Sequence, residues 1–166
     1  MLKIFAGIIL LCFSFGGYLQ FLVPFIGAVV IAYELNQMRR LDSSFNAAIA
    51  MAAAAAAYEM VSTVLSLLPI YKTGNFSSYL FTGKIILSSL LLLTLYIAFK
   101  KAFGRRVFGI FGLIAMNVGS AAVVLLTPVL NLGYDVITKA MAVLVYAFVL
   151  GYIGSDMRMI YLSQDA

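Results

Sequence analysis

A carboxylate and an amine lie inside two apolar stretches of the chain, and they are the groups best suited to chemistry. Glu59 belongs to the apolar stretch 46–68 and Lys84 to the stretch 77–99. An ionised side chain near the centre of a membrane helix costs about 2.5–3.5 kcal/mol, so it rarely persists without a partner or a task. If the two stretches form an antiparallel hairpin, Glu59 and Lys84 lie at similar depth. We therefore expect an ion pair or a shared polar pocket.

Three hydroxyl groups share helix faces with these charges. Ser62 and Thr63 follow Glu59 by three and four residues, and Ser88 follows Lys84 by four. Residues at these spacings lie on one face of a helix. The predicted binding site therefore comprises Glu59, Lys84, Ser62, Thr63 and Ser88. Two alternatives stay open: the charges only fix the register of the two helices, or Lys84 extends along lipid towards the membrane surface.

Composition indicates that these stretches cross a membrane. The 166 residues are 64% hydrophobic and 10% charged, with a mean hydropathy of +1.09, whereas a soluble domain carries about 25% charged residues. A membrane helix needs roughly 20 apolar residues, which leaves room for five or six spans. The apolar runs are continuous and do not alternate as the strands of a membrane barrel do. The sequence predicts an all-α fold, a polytopic helical bundle forming a single integral membrane domain over 1–166.

Turn residues divide the apolar sequence into six predicted transmembrane helices. Gly16-Gly17 and Pro24 interrupt the first long apolar run, since glycine pairs favour turns and proline suits the first turn of a helix. No small-residue cleavage motif follows the N-terminal apolar run, so we expect a retained first helix. The predicted helices cover residues 3–17, 22–38, 46–68, 77–99, 107–127 and 136–154.

The basic residues fall on one side of this arrangement. Six helices paired as three hairpins place on a single side Lys3, Arg39, Arg40, Lys100, Lys101, Arg105, Arg106 and Arg158. The opposite side holds Lys72, with Lys84 and Lys139 nearest to it. Because cytoplasmic loops carry the excess of Lys and Arg, we expect a plasma-membrane protein with both termini cytoplasmic.

Small residues predict where the helices touch. On 46–68, the face that carries Glu59 is otherwise small or polar and includes Ala48, Ala52, Ala55 and Ala56. We expect this stripe to face protein, and the bulky face, which includes Tyr58, to face lipid or other bulky side chains. Spacings of four predict further contacts at Ala115/Gly119 and Ala147/Gly151, because small residues let helices approach closely in lipid. Asn117, in the middle of the fifth helix, predicts an interhelical hydrogen bond.

The sequence offers no catalytic constellation. It contains no histidine and one cysteine, Cys12, which excludes disulfides, zinc clusters and Cys/His catalysis. Neither a nucleophile elbow nor a phosphate-binding loop occurs. The net charge of +5 comes from residues between apolar runs, so nucleic-acid binding is not expected. We predict no catalytic residues, no metal site, no cofactor and no enzymatic activity.

Two resemblances add to this interpretation. Pro24-Phe25-Ile26-Gly27, Glu34-Leu35 and Ser44-Phe45-Asn46-Ala47 resemble a loose group of polytopic membrane proteins of Gram-positive bacteria. That group has Leu-Pro-Asp-Phe-Ile-Gly at the start of the helix, and the Asp is absent here. It brings no activity and no functional residues. The architecture is also similar to the substrate-binding subunits of energy-coupling-factor vitamin transporters, which implies that Ala48, Ala52 and Ala56 dock a transport partner.

The expected function is that of a non-enzymatic membrane subunit or binding partner. Its partners would be the lipid bilayer and a second membrane protein or another copy of the chain. The alternative is a small-solute or ion transport component that uses the Glu59/Lys84 pocket from the outer side.

Overall fold

The computed structural model describes residues 2–12, 19–68, 76–104, 107, 109–130 and 136–162. In this part of the chain the regular structure is α-helical, so the all-α prediction is confirmed. The six helices are α1 (Leu2–Cys12), α2 (Leu19–Met38), α3 (Phe45–Ser66), α4 (Phe76–Phe103), α5 (Gly109–Leu130) and α6 (Val136–Leu162).

Three of these helices are long and apolar enough to cross a membrane. The apolar spans are Phe21–Met38, Phe45–Ser66 and Tyr79–Phe103, and shorter apolar stretches cover Leu2–Cys12 and Gly109–Gly119. The chain therefore has the helices of a membrane protein.

Several helix boundaries differ from the predicted ones. α1 ends at Cys12, and the rest of the predicted helix 3–17 lies outside the described residues. α2 begins at Leu19, so Pro24 lies inside the helix and not in its first turn. Proline lacks only the bond to the carbonyl four residues earlier, which here belongs to the first turn, and the helix tolerates the loss. Of the predicted basic residues, Lys72, Arg105 and Arg106 lie outside the described residues.

The connection between α2 and α3 is a short turn around Asp42. The Ser44 backbone N–H donates to Asp42 Oδ1 at 2.6 Å, and Ser44 is the N-cap of α3. Asp42 therefore closes the turn before α3, while the Ser44 side chain makes no capping hydrogen bond. α4 stops where Gly104 adopts a φ of 66° and its N–H donates to the Lys100 carbonyl, a common helix C-terminus.

The helices pack in chain order, each against the next, and α6 packs back against α1. Lys3 Nζ lies 3.1 Å from Glu34 Oε1, so the start of α1 lies beside the end of α2. The Phe5 ring packs on Gly154, so the start of α1 also lies beside the last turns of α6. Both contacts show neighbouring helices running antiparallel.

α3 and α4 form an antiparallel pair whose register is fixed at two levels. The Phe45 and Phe99 ring centroids are 6.0 Å apart near one end. Towards the other end, the Tyr58 ring packs on Gly83. This register places residue 59 of α3 and residue 84 of α4 at the same level.

Glycines make the closest contact between α1 and α2. A Cβ at Gly27 would lie 2.7 Å from both the Gly7 carbonyl oxygen and the Leu11 backbone nitrogen. A real Cβ does not approach other heavy atoms so closely, so a side chain at Gly27 would force the two backbones apart. Such small-residue crossings supply the packing that holds helices together in lipid.

The predicted alanine stripe of α3 is part of the chain's own core. Its members are 0–9% exposed: Ala48, Ala52, Ala55 and Ala56. They belong to one cluster with core residues of the other helices, among them Ile4, Ala28 and Leu95. The stripe faces protein, and that protein is the same chain.

The small residues predicted to pack α5 and α6 are exposed instead: Ala115, Gly119, Ala147 and Gly151. Among the described residues, nothing lies within 4 Å of a Cβ placed at either glycine. The contact uses Gly109 against Ile153, and Gly112 against Val149. At about 100° per residue, Gly119 lies on nearly the same face of α5 as Gly112 but about two turns further along the helix. A spacing of four therefore identifies small residues that permit a close contact, but it does not say at which level of the helix the contact occurs.

Candidate functional site: a buried acid and amine between α3 and α4

Glu59 and Lys84 both lie in the interior of the helical bundle. Their side chains belong to residues that are 2% and 4% exposed. The antiparallel register of α3 and α4 places them at the same level. The Lys84 ammonium acts electrostatically on the Glu59 carboxyl group and on the Cys12 thiol of α1. The two groups are therefore within electrostatic reach of each other inside the bundle, and a direct ion pair between them stays a prediction.

One oxygen of the Glu59 carboxyl group has no hydrogen-bond partner among the described residues. Oε2 is inaccessible to solvent and accepts no hydrogen bond from this part of the chain. A buried carboxylate oxygen without a partner is costly, because it loses its water and gains nothing in exchange. The carboxyl group therefore has an open position for a hydrogen or a donor.

Aromatic rings surround the Lys84 ammonium. Nζ lies 6.0 Å from the centroid of Phe21 on α2 and 5.9 Å from the centroid of Phe81 on α4. Both distances reach the limit of about 6 Å for a cation–π interaction. Both rings favour the charged form of the amine.

Tyr58 fixes α4 against α3 one turn before Lys84. Its hydroxyl donates to the Leu80 carbonyl oxygen at 2.8 Å. In an α-helix this carbonyl also accepts the N–H of residue 84. The ring packs on Gly83, where a Cβ would lie 2.8 Å from Tyr58 Cζ. Tyr58 therefore packs against α4 and does not face lipid alone.

A polar network fixes α4 against α5 and α6 one turn after Lys84. The Asn117 side-chain amide donates to Ser88 Oγ at 3.4 Å, and the Tyr146 hydroxyl donates to Asn117 Oδ1 at 3.1 Å. Ser88 in turn donates to the Ile85 carbonyl oxygen. The predicted interhelical hydrogen bond of Asn117 is confirmed. These hydrogen bonds clamp α4 to α5 and α5 to α6 at this level.

The predicted hydroxyl groups have different surroundings. Ser62 is fully buried one turn from Glu59, and Ser88 is 5% exposed. Thr63 is half-buried and donates to the Glu59 backbone carbonyl at 2.7 Å. The Thr63 hydroxyl is therefore engaged within its own helix, whereas Ser62 lies on the face of Glu59.

Sequence reasoning missed the aromatic groups of the site. Phe21, Phe81 and Tyr146 carry no signal of their own, because phenylalanine and tyrosine are common in apolar helices. Tyr58 did carry one: it precedes the buried acid directly, where a polar group in lipid needs a partner.

Comparison with known proteins returned no match. No protein-family model, no curated protein and no solved structure matches the chain. The two resemblances drawn from sequence therefore stay predictions. The interpretation of the site rests on its geometry alone.

Proposed function

We propose that the chain is a multi-pass plasma-membrane protein that transports an ion or a small solute through an interior site at Glu59 and Lys84. All six helices span the bilayer as three hairpins, with both termini cytoplasmic. The observation that carries the proposal is the pair of buried opposite charges at one level of α3 and α4, with one carboxylate oxygen open. Charged residues inside membrane helices typically mark ion and substrate pathways.

The distribution of exposed cations supports this topology. The start of α1, the end of α2 and the end of α6 lie together, as the Lys3–Glu34 and Phe5–Gly154 contacts require. Arg39, Arg40, Lys100, Lys101 and Arg158, which are all exposed, lie at helix ends or in a connection. A single basic side is the pattern of a cytoplasmic membrane face.

The alternative role, docking a partner through the alanine stripe, has less support. Ala48 and Ala52 are fully buried and Ala56 is 9% exposed. A partner subunit would have to displace the chain's own core to reach them. A membrane protein partner or a second copy would need another surface, so we place transport first.

Charge movement in reconstituted protein tests the transport role. Liposomes carrying the full chain are adsorbed on a solid-supported membrane and exposed to steps of proton, sodium, potassium, chloride and amino-acid concentration. We expect a transient current for at least one gradient, lost in Glu59→Gln and retained in Glu34→Gln. Glu34 is the matched control, because it is a glutamate of a membrane helix that pairs with Lys3. If liposomes that contain folded wild-type protein give no transient current in any gradient, the proposal is refuted.

Single-cysteine labelling tests the topology. In a Cys12→Ser background, Arg39→Cys, Lys100→Cys and Leu68→Cys place thiols at exposed positions near helix ends. An impermeant reagent added to sealed, right-side-out vesicles should label position 68 only, and positions 39 and 100 only after the vesicles are opened. Labelling of 39 and 100 from different sides would break the three-hairpin arrangement.

A further inference from the structure

We propose that the species bound at the open Glu59 oxygen is a proton, so that Glu59 alternates between carboxylate and carboxylic acid during the working cycle. This deepens the proposed transport function and rests on it for its biological meaning. The step transfers H⁺ from a hydronium ion to a lone pair of Oε2: one O–H bond forms at Oε2, one O–H bond of the hydronium ion breaks to leave water, and the carboxyl group goes from −1 to neutral.

Size favours a proton over a solute. Glu59, Ser62 and Lys84 are 2%, 0% and 4% exposed, so their polar atoms lie in closely packed surroundings. A solute with several heavy atoms would have to separate α3 from α4, which Tyr58 and its bond to Leu80 hold together. A proton occupies the open position of Oε2 without moving any helix.

Coordination chemistry disfavours a metal cation. Hard cations take about six to eight oxygen ligands, and within the described residues no group of three His, Cys, Asp or Glu side chains comes together. The Lys84 ammonium acts on Glu59 and opposes the binding of any cation there, the proton included. Only the proton offsets this cost by forming a covalent O–H bond with the carboxyl oxygen.

The groups that face Glu59 set the charge balance of the site. From α4 comes Lys84, from α1 the Cys12 thiol beside Lys84, and on α3 itself the Tyr58 hydroxyl. The acid of α2, Glu34, is engaged with Lys3 at the basic end. Protonation of Glu59 therefore changes the charge of the acid–amine pair from zero to +1. Such a change inside lipid favours a rearrangement that brings Lys84 towards water or an anion, which is how proton binding would be coupled to transport.

Isotope labelling isolates this carboxyl group. The chain contains two glutamates, Glu34 and Glu59, so cell-free synthesis of the Glu34→Gln variant with glutamate carrying a ¹³C side-chain carboxyl leaves Glu59 as the one labelled carboxyl group. Infrared spectra in liposomes then follow its carboxylic-acid and carboxylate bands as pH is stepped. We expect the acid band to give way to the carboxylate band within the range where the protein stays folded, and the acid band to shift in D₂O. A Glu59 carboxyl that keeps one form over that whole range would overturn the inference.

A second readout separates this inference from the transport proposal. Currents driven by proton steps in the wild type, lost in Glu59→Gln and retained in Glu34→Gln, support both. A different pair of results would overturn the proton assignment but still support transport. In that case sodium, potassium or chloride steps drive a current, while the Glu59 carboxyl group keeps one protonation form at every pH tested. A titrating Glu59 without any current supports proton binding and refutes transport.

Discussion

The energetic relation between Glu59 and Lys84 is testable by a double-mutant cycle with Glu59→Gln and Lys84→Met. Both residues are nearly inaccessible, at 2% and 4% exposure, so water screens neither charge. Removing one partner of a buried pair costs about 3–5 kcal/mol, because the remaining charge stays in the apolar interior. We therefore expect each single variant to lose about 3 kcal/mol of stability. The double variant should lose less than the sum by about 1–3 kcal/mol.

Unfolding by SDS in mixed micelles, followed by far-ultraviolet circular dichroism, measures these free energies of unfolding. The Lys3–Glu34 pair provides the matched control, because its atoms are 3.1 Å apart but the Lys3 side chain is 70% exposed. The cycle of Lys3→Met and Glu34→Gln should give a coupling of at most about 1 kcal/mol. If Glu59→Gln and Lys84→Met add to within about 0.5 kcal/mol, the two charges do not interact and the reasoning about the site fails.

Two further substitutions test the contacts around the site and the turn before α3. Gly83→Ala should destabilise the protein by about 1–3 kcal/mol, since its Cβ would press into the Tyr58 ring. Gly119→Ala, in open space, should be neutral or stabilising by about 0.5–1 kcal/mol, and equal effects of the two would contradict the packing. Ser44, whose backbone N–H donates to Asp42 Oδ1, holds the pKa of Asp42 below its ordinary value. The Asp42 carboxylate therefore stabilises the start of α3 fully at pH values above that ordinary pKa, and this contribution is lost as the pH falls through the lowered pKa. Asp42→Asn should abolish this acid-side dependence of thermal stability, and an unchanged pH profile would contradict the assignment.

The sequence was enough to predict that Glu59 and Lys84 lie at the same level, because the length of the connection in a hairpin fixes the register of its two helices. Glu59 and Lys84 lie at comparable distances from the connection between α3 and α4, and antiparallel helices then bring them side by side. The burial of Ser62 followed for the same reason, because a spacing of three keeps it on the face of Glu59. Local periodicity and a short connection are therefore enough to predict that two residues lie side by side, provided that both residues belong to one hairpin.

The contacts between α5 and α6 were not predictable in this way. Among the described residues, α5 meets α6 at Gly109 and Gly112, whereas Gly119, on nearly the same face as Gly112, has nothing within 4 Å of a Cβ placed there. Several levels of a helix rich in small residues satisfy the same spacing rule, so the pattern alone does not choose among them. Asn117 shows the intermediate case: an amide in lipid requires a partner, but the identity of Tyr146 follows only from the rotation of α6.

The energies of the contacts around Lys84 indicate which of them keep this residue in its position. Its helix is clamped one turn earlier by Tyr58 at the Leu80 carbonyl and one turn later by Asn117 at Ser88. Each interhelical hydrogen bond contributes on the order of 0.6 kcal/mol, whereas a charge in the membrane interior costs about 2.5–3.5 kcal/mol. The clamps can therefore select the register of α4 among near-equal alternatives, but they cannot by themselves hold a lysine in lipid. The Glu59 carboxylate also acts electrostatically on Lys84, so any step that neutralises Glu59 also loosens the position of Lys84.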